Sequence, residues 1–113
     1  TGFGLAGHLL EMIGPGGGIE LDLNKIPCLP GSLEVINGLK IRSSLHDANK
    51  KASNLGVLQE KSEILFDPQT SGGLVLAVEK SRALEMISSL HQKGYCHAAI
   101  IGESIPESCL RVK

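Results

Sequence analysis

Apolar residues recur at Leu5, Leu9, Met12 and Ile13, the 3.6-residue spacing of a helix over Phe3 to Ile13. Thr1 stands where an N-cap is expected, and Gly14-Pro15 stops the helix. Ile19-Glu20-Leu21-Asp22-Leu23 alternates strictly and predicts a strand with one buried face. Pro27 and Pro30 bracket a turn, and Leu33, Val35, Ile36 and Leu39 predict a short helix near 31–37, closed by Gly38. Ser44-x-x-Asp47 is a capping-box-like start for a helix through Ala52. Residues 54–63 show no period and are expected to be loop.

A polar turn then runs into the unbroken apolar stretch Leu74-Val75-Leu76-Ala77-Val78, the pattern of a strand covered on both faces. Ser81 to Lys93 reads as a helix, with Ala83, Leu84, Ile87 and Leu90 as its apolar face and Gly94 as its stop. His97 to Ile101 is expected to form a strand, and Cys109 to Val112 an edge strand. The order α-β-α-α-β-α-β-β implies an α/β (α+β) sandwich: helices packed on a mixed sheet. The 113 residues suit a single domain with one core.

Composition adds exclusions. The hydrophobic share is 42%, too high for a disordered tail. Eleven basic residues nearly balance twelve acidic ones, with no basic stripe or aromatic platform, so nucleic acid is not an expected partner. No apolar run approaches the roughly 20 residues of a membrane helix. Thr1-Gly2-Phe3-Gly4 lacks the basic opening of a signal peptide, and without an initiator Met the chain reads as a fragment or processed product. Cys28, Cys96 and Cys109 are odd in number and lack C-x-x-C spacing. They read as ordinary half-buried thiols of a reducing, cytoplasmic protein rather than a disulfide or zinc framework.

The 14 glycines make up about 12% of the chain, against roughly 7% in an average protein, and they cluster. Thr70-Ser71-Gly72-Gly73 aligns two hydroxyls with two unhindered amides. It can contact a phosphate or nucleotide, or simply turn the chain before the apolar run. Thr1-Gly2-Phe3-Gly4 opens a helix, where unpaired amides and the helix dipole favour an anion; the alternative is a plain glycine-rich helix start. It is not a P-loop. His8 follows within two turns and either faces the same cavity or bonds locally. Gly14 to Gly18 reads as a linker turn. The histidines lack zincin spacing, no pair of acids suggests glycosidase chemistry, and no G-x-S-x-G elbow occurs.

Together, Thr1-Gly2-Phe3-Gly4-Leu5-Ala6-Gly7-His8 and Asp67-Pro68-Gln69-Thr70-Ser71-Gly72-Gly73-Leu74 are far more specific than either alone. With Leu29-Pro30-Gly31 between them and Ile101-Gly102-Glu103 after them, the sequence resembles the C-terminal domain of the selenide, water dikinase (selenophosphate synthetase) family. The resemblance covers about residues 1–106. It implies the fold of the AIR synthase C-terminal domain, shared with aminoimidazole ribonucleotide synthetase, the hydrogenase maturation dehydratase and thiamine-monophosphate kinase.

For a full-length enzyme, the resemblance implies conversion of ATP, selenide and water to selenophosphate, AMP and phosphate, with magnesium. It implies an N-terminal ATP-binding domain through which the enzyme pairs as a homodimer. Thr1, Gly2 and Gly4 are expected to flank the metal–phosphate site, and Thr70, Ser71, Gly72 and Gly73 to line the cleft facing the ATP domain. The family's catalytic cysteine context matches none of the three cysteines. Its magnesium-binding Asp lies two positions before the residue matching Thr1, so no catalytic residue or metal ligand is assigned here. An isolated domain is expected to be inactive, to hold no ATP or magnesium tightly, and to leave uncovered an apolar patch that normally meets the ATP domain. A stand-alone anion-binding or interaction module, and a domain of another enzyme of the superfamily, are the alternatives.

Overall fold

The computed structural model describes residues 1–56 and 59–113. Its regular elements are helix α1 (Gly4–Met12), strand β1 (Gly18–Leu21), helix α2 (His46–Ser53), helix α3 (Ala83–Gln92), and strands β2 (Gly102–Ile105) and β3 (Leu110–Val112). Shorter turns join them: 3₁₀ at Leu23–Lys25, π-helical at Glu34–Gly38, and 3₁₀ at Glu60–Phe66 and Lys80–Arg82. The sheet is mixed, in the order β2-β1-β3. β1 runs antiparallel to β2, with Leu21 opposite Gly102, and parallel to β3, with Ile19 opposite Leu110. A small mixed sheet with packed helices is the expected α+β arrangement.

The core is built from Ala6 and Leu9 of α1, Leu21, Leu23 and Ile26 around β1, Leu65 and Phe66 of the 60–66 turn, and Leu110 of β3. Sealing a Leu or Phe side chain from water contributes about 1.5–3 kcal/mol. Most of the folding free energy therefore resides in the α1–β1–Phe66 cluster. Helix α3 has no buried residue and contributes little: Ala83, Ile87 and Leu90 are half-buried, and Leu84 is 77% exposed.

Several expectations are corrected. The N-cap of α1 is Phe3, not Thr1, and no side chain caps the helix. Gly2 and Gly4, with φ of 89° and 70°, turn the chain sharply and carry Thr1 away from the first amides. The capping box at Ser44–Asp47 does not form either; α2 starts after Leu45, whose N–H is accepted by Ser43 Oγ at 3.3 Å. Part of the expected 54–63 loop is the buried 60–66 turn, and its residues 57 and 58 lie outside the described residues.

Leu74–Val78 is not a paired strand. Val75 packs against the core, but Leu74 is 90% and Leu76 61% exposed, because nothing among the described residues covers the second face of this run. The strand expected at 97–101 begins only at Gly102, because a turn closed by Ala98 N–H to the Tyr95 carbonyl (3.0 Å) occupies that stretch. Gly102 opens the strand because a Cβ there would lie 2.4 Å from the Glu20 carbonyl oxygen. Gly18 is likewise more than a linker: a Cβ on it would meet the Glu107 and Cys109 carbonyl oxygens, where the return to β3 crosses. The three cysteines are exposed rather than half-buried. Among the described residues, no helix is long and apolar enough to cross a membrane.

Glu20 ties β1 to β3. Its carboxylate takes Lys113 Nζ at 2.6 Å and Arg111 Nε at 2.8 Å. The Lys113 hydrogen bond is the main cause that holds Glu20 below its ordinary value, and the same bond raises Lys113. A lowered carboxylate stabilises the fold above its unfolded pKa and loses that contribution as pH falls through the folded one; a raised lysine loses its contribution as pH climbs past its folded pKa. Glu20→Gln should therefore lower Tm most in the neutral range. Melting curves of wild type and variant should converge in acid, as Glu20 becomes protonated; a gap that persists there contradicts the assignment.

Candidate functional site

The two glycine-bearing segments meet at their roots. Gly4 presses on the chain just before the second motif: a Cβ on Gly4 would lie 2.7 Å from the Leu65 carbonyl oxygen and 3.0 Å from Phe66 C. Only glycine fits both this approach and its positive φ. Gly2 sits against Pro68 and the Leu45 side chain. Asn49 of α2 spans the junction, its Nδ2 donating to the Gly2 carbonyl at 2.7 Å and to the Phe66 carbonyl at 3.0 Å.

Beyond the junction the segments are open. Thr1 is exposed, and its Oγ1 lies 2.5 Å from His8 Nε2. His8 also stacks obliquely beside Phe3, with ring centroids 5.9 Å apart, and approaches Glu11 at 3.4 Å. His8 therefore does return to the helix start, as a local partner of Thr1. In the second segment, Gln69 Nε2 donates to Asp67 Oδ2 at 3.2 Å. Thr70, Ser71, Gly72 and Gly73 are all exposed. Ser71 adopts a positive φ of 54°, Gly72 backs onto the Gln69 side chain, and nothing lies where a Cβ on Gly73 would stand. The structure thus joins Gly2 and Gly4 to Leu65–Pro68, while Thr70–Gly73 projects into solvent.

Beneath the junction lies a polar cluster that sequence reasoning missed. Glu63 is buried, and its Oε1 accepts from Lys50 Nζ at 2.6 Å. Its Oε2 has Arg42 Nη1 and His46 Nε2 at 3.4 Å each, without a hydrogen bond to either. His46 is sealed from solvent, and its Nε2 lies 3.1 Å from the Glu63 carbonyl. A carbonyl only accepts, so Nε2 carries the proton. The His46 ring meets Phe66 edge-on, and the Lys50 ammonium stands 5.8 Å from the centre of the Phe66 ring. His46, Asn49, Lys50 and Ser53 follow i, i+3, i+4, i+7 spacing, so one polar face of α2 turns inward. That spacing was the available signal. It was hidden because Glu63, its main partner, fell in the supposed loop. Among the described residues, no group of three His, Cys, Asp or Glu side chains is placed to hold a metal ion.

All 113 residues match the model of the AIR synthase related protein, C-terminal domain. The chain belongs to this family. It is 34% identical over 113 residues to the selenide, water dikinase of Clostridioides difficile (strain 630), covering 95% of this chain and 32% of that protein. It is 38% identical over 106 residues to the selenide, water dikinase of Carboxydothermus hydrogenoformans, covering 88% of this chain and 31% of that protein. A third relative of the same name, from Aeromonas salmonicida, is 39% identical over 97 residues, covering 83% and 28%. The chain spans about a third of the length of these curated relatives.

Removing one partner of a buried ion pair leaves the other charge uncompensated, at a cost of about 3–5 kcal/mol. Lys50→Met should therefore destabilise the chain by about 3 kcal/mol, leaving the Arg42 guanidinium at 3.4 Å beside Glu63. Urea unfolding followed by far-UV circular dichroism measures this. The double variant Lys50→Met, Glu63→Leu should recover much of the loss; equal loss in both would show that the Lys50 stem, not the pair, is what matters.

Proposed function

We propose that residues 1–113 form the C-terminal domain of a selenide, water dikinase, which makes selenophosphate, AMP and phosphate from ATP, selenide and water. The observation that carries this reading is the junction. The two motif segments of the family are pinned together by Gly4 and Asn49, in a chain whose likeness to selenide, water dikinases extends over most of its length. On this reading the rest of the enzyme supplies an N-terminal ATP-binding domain, pairs as a homodimer, and works in the cytoplasm with magnesium.

The donors of the two segments suit an anionic ligand. Thr70 and Ser71 offer exposed hydroxyls, and the exposed backbone of Gly72 and Gly73 adds amides, Gly73 with open space where a Cβ would stand and Gly72 beside the Gln69 side chain. On this reading Thr1, Gly2 and Gly4 face the same ligand from the α1 side, Gly2 and Gly4 being joined to the second segment at Leu65–Pro68. In phosphoryl transfer, charge spreads over the phosphoryl oxygens, and fixed uncharged donors compensate it without their own reorganisation. These residues therefore support the transfer rather than perform it. No catalytic residue or metal ligand is assigned in this chain. The exposed Leu74, Leu76, Val78 and Leu84 fit a surface that a further domain covers.

Two assays test the proposal. The 113-residue chain alone should release no AMP from ATP and selenide. The protein that carries this chain together with an ATP-binding domain should release AMP, selenophosphate and phosphate in equal amounts. ADP as the final nucleotide product would exclude selenophosphate synthesis and favour another enzyme of the superfamily, and AMP formation by the chain alone would refute the supporting role.

A further inference from the structure

We propose that Asn49 is the positioning residue that holds the two motif segments in register, so that they act on one ligand. This rests on the functional reading above and adds a residue that no motif contains. The junction presents two backbone carbonyls, Gly2 O and Phe66 O, from chain segments more than 60 residues apart. A primary amide has two N–H donors on one nitrogen, and Asn49 gives one to each carbonyl, at 2.7 and 3.0 Å. Both partners are pure acceptors, which fixes the nitrogen, not the oxygen, toward the junction.

No other side chain of this size supplies the pair. Asp is isosteric and has no donor when ionised, Ser has one, and Gln places its amide one methylene too far out. The platform beneath is fixed as well. On the same face of α2, His46 donates to the Glu63 carbonyl and Lys50 pairs with the Glu63 carboxylate. Asn49 is thereby carried on a helix tied to the very turn that delivers Phe66. Losing the bridge frees both loops while leaving α1, the sheet and the Phe66 ring in place.

The test uses Asn49→Asp, with Asn49→Ser as the milder variant should the first fold poorly. In the 113-residue chain, the {1H}-15N heteronuclear NOE should fall by at least half at the amides of Gly2–Leu5 and Asp67–Gly73 in Asn49→Asp. It should fall less in Asn49→Ser and stay unchanged along β1 and β2. In the protein carrying an ATP-binding domain, kcat for selenide-dependent AMP formation should fall about 10- to 100-fold, with KM for ATP moving less than threefold. Unchanged NOE values at both loops overturn the bridge. Lowered NOE values with wild-type kcat and KM overturn its role in the reaction. If the unsubstituted protein forms no AMP, the functional reading fails and takes this role with it, whereas the NOE result still decides whether the bridge exists.

Discussion

The junction of the two motif segments is arranged around the burial of Phe66. Its ring is almost fully sealed, its backbone is the floor on which the first turn of α1 rests, and its carbonyl is held by Asn49. The ring also orders α2: His46 meets it edge-on and Lys50 extends over it. Because Phe66 directly precedes Asp67-Pro68-Gln69-Thr70-Ser71-Gly72-Gly73, anchoring it anchors the second motif. Because Gly4 rests on the same backbone, it anchors the first. One buried aromatic thus joins two segments that are far apart in sequence.

The polar cluster under Phe66 has a different logic. A buried carboxylate is costly unless compensated, and Glu63 is compensated by Lys50 directly and by Arg42 at longer range. Such a set adds little net stability compared with an apolar replacement. What it adds is direction: it allows only one rotation of α2, the one that aims Asn49 at the junction. Helix α3 and the Leu74–Val78 run show the opposite condition. Apart from Val75, which packs against the core, their apolar side chains meet no second layer among the described residues.

Local periodicity made some of this legible beforehand. The helical spacing of Leu5, Leu9 and Met12 located α1, the alternation at 19–23 located β1, and Gly94 marked the end of α3. Strand positions failed where the decisive partner was distant. Nothing near His97–Ile101 announces that Gly102 must lie against Glu20, and nothing near Gly18 announces the crossing of residues 107–109. The apolar run at 74–78 predicts a doubly covered strand because hydrophobicity reports what a segment needs, not whether the described residues provide it. The candidate loops were legible as motifs, since glycine and hydroxyl patterns are local. The bridging role of Asn49 was not: its helical spacing with His46, Lys50 and Ser53 marks an inward polar face, but only the fold places two carbonyls in front of it.

On the proposed function, the Thr1–Gly4 and Thr70–Gly73 segments face one anion. An NMR titration of the isotopically labelled chain with inorganic tripolyphosphate tests it most directly. The amides of both segments should shift together along one binding curve with a single Kd, while those of β1 and β2 stay still. Shifts in one segment alone, or two curves with separate Kd values, would contradict it.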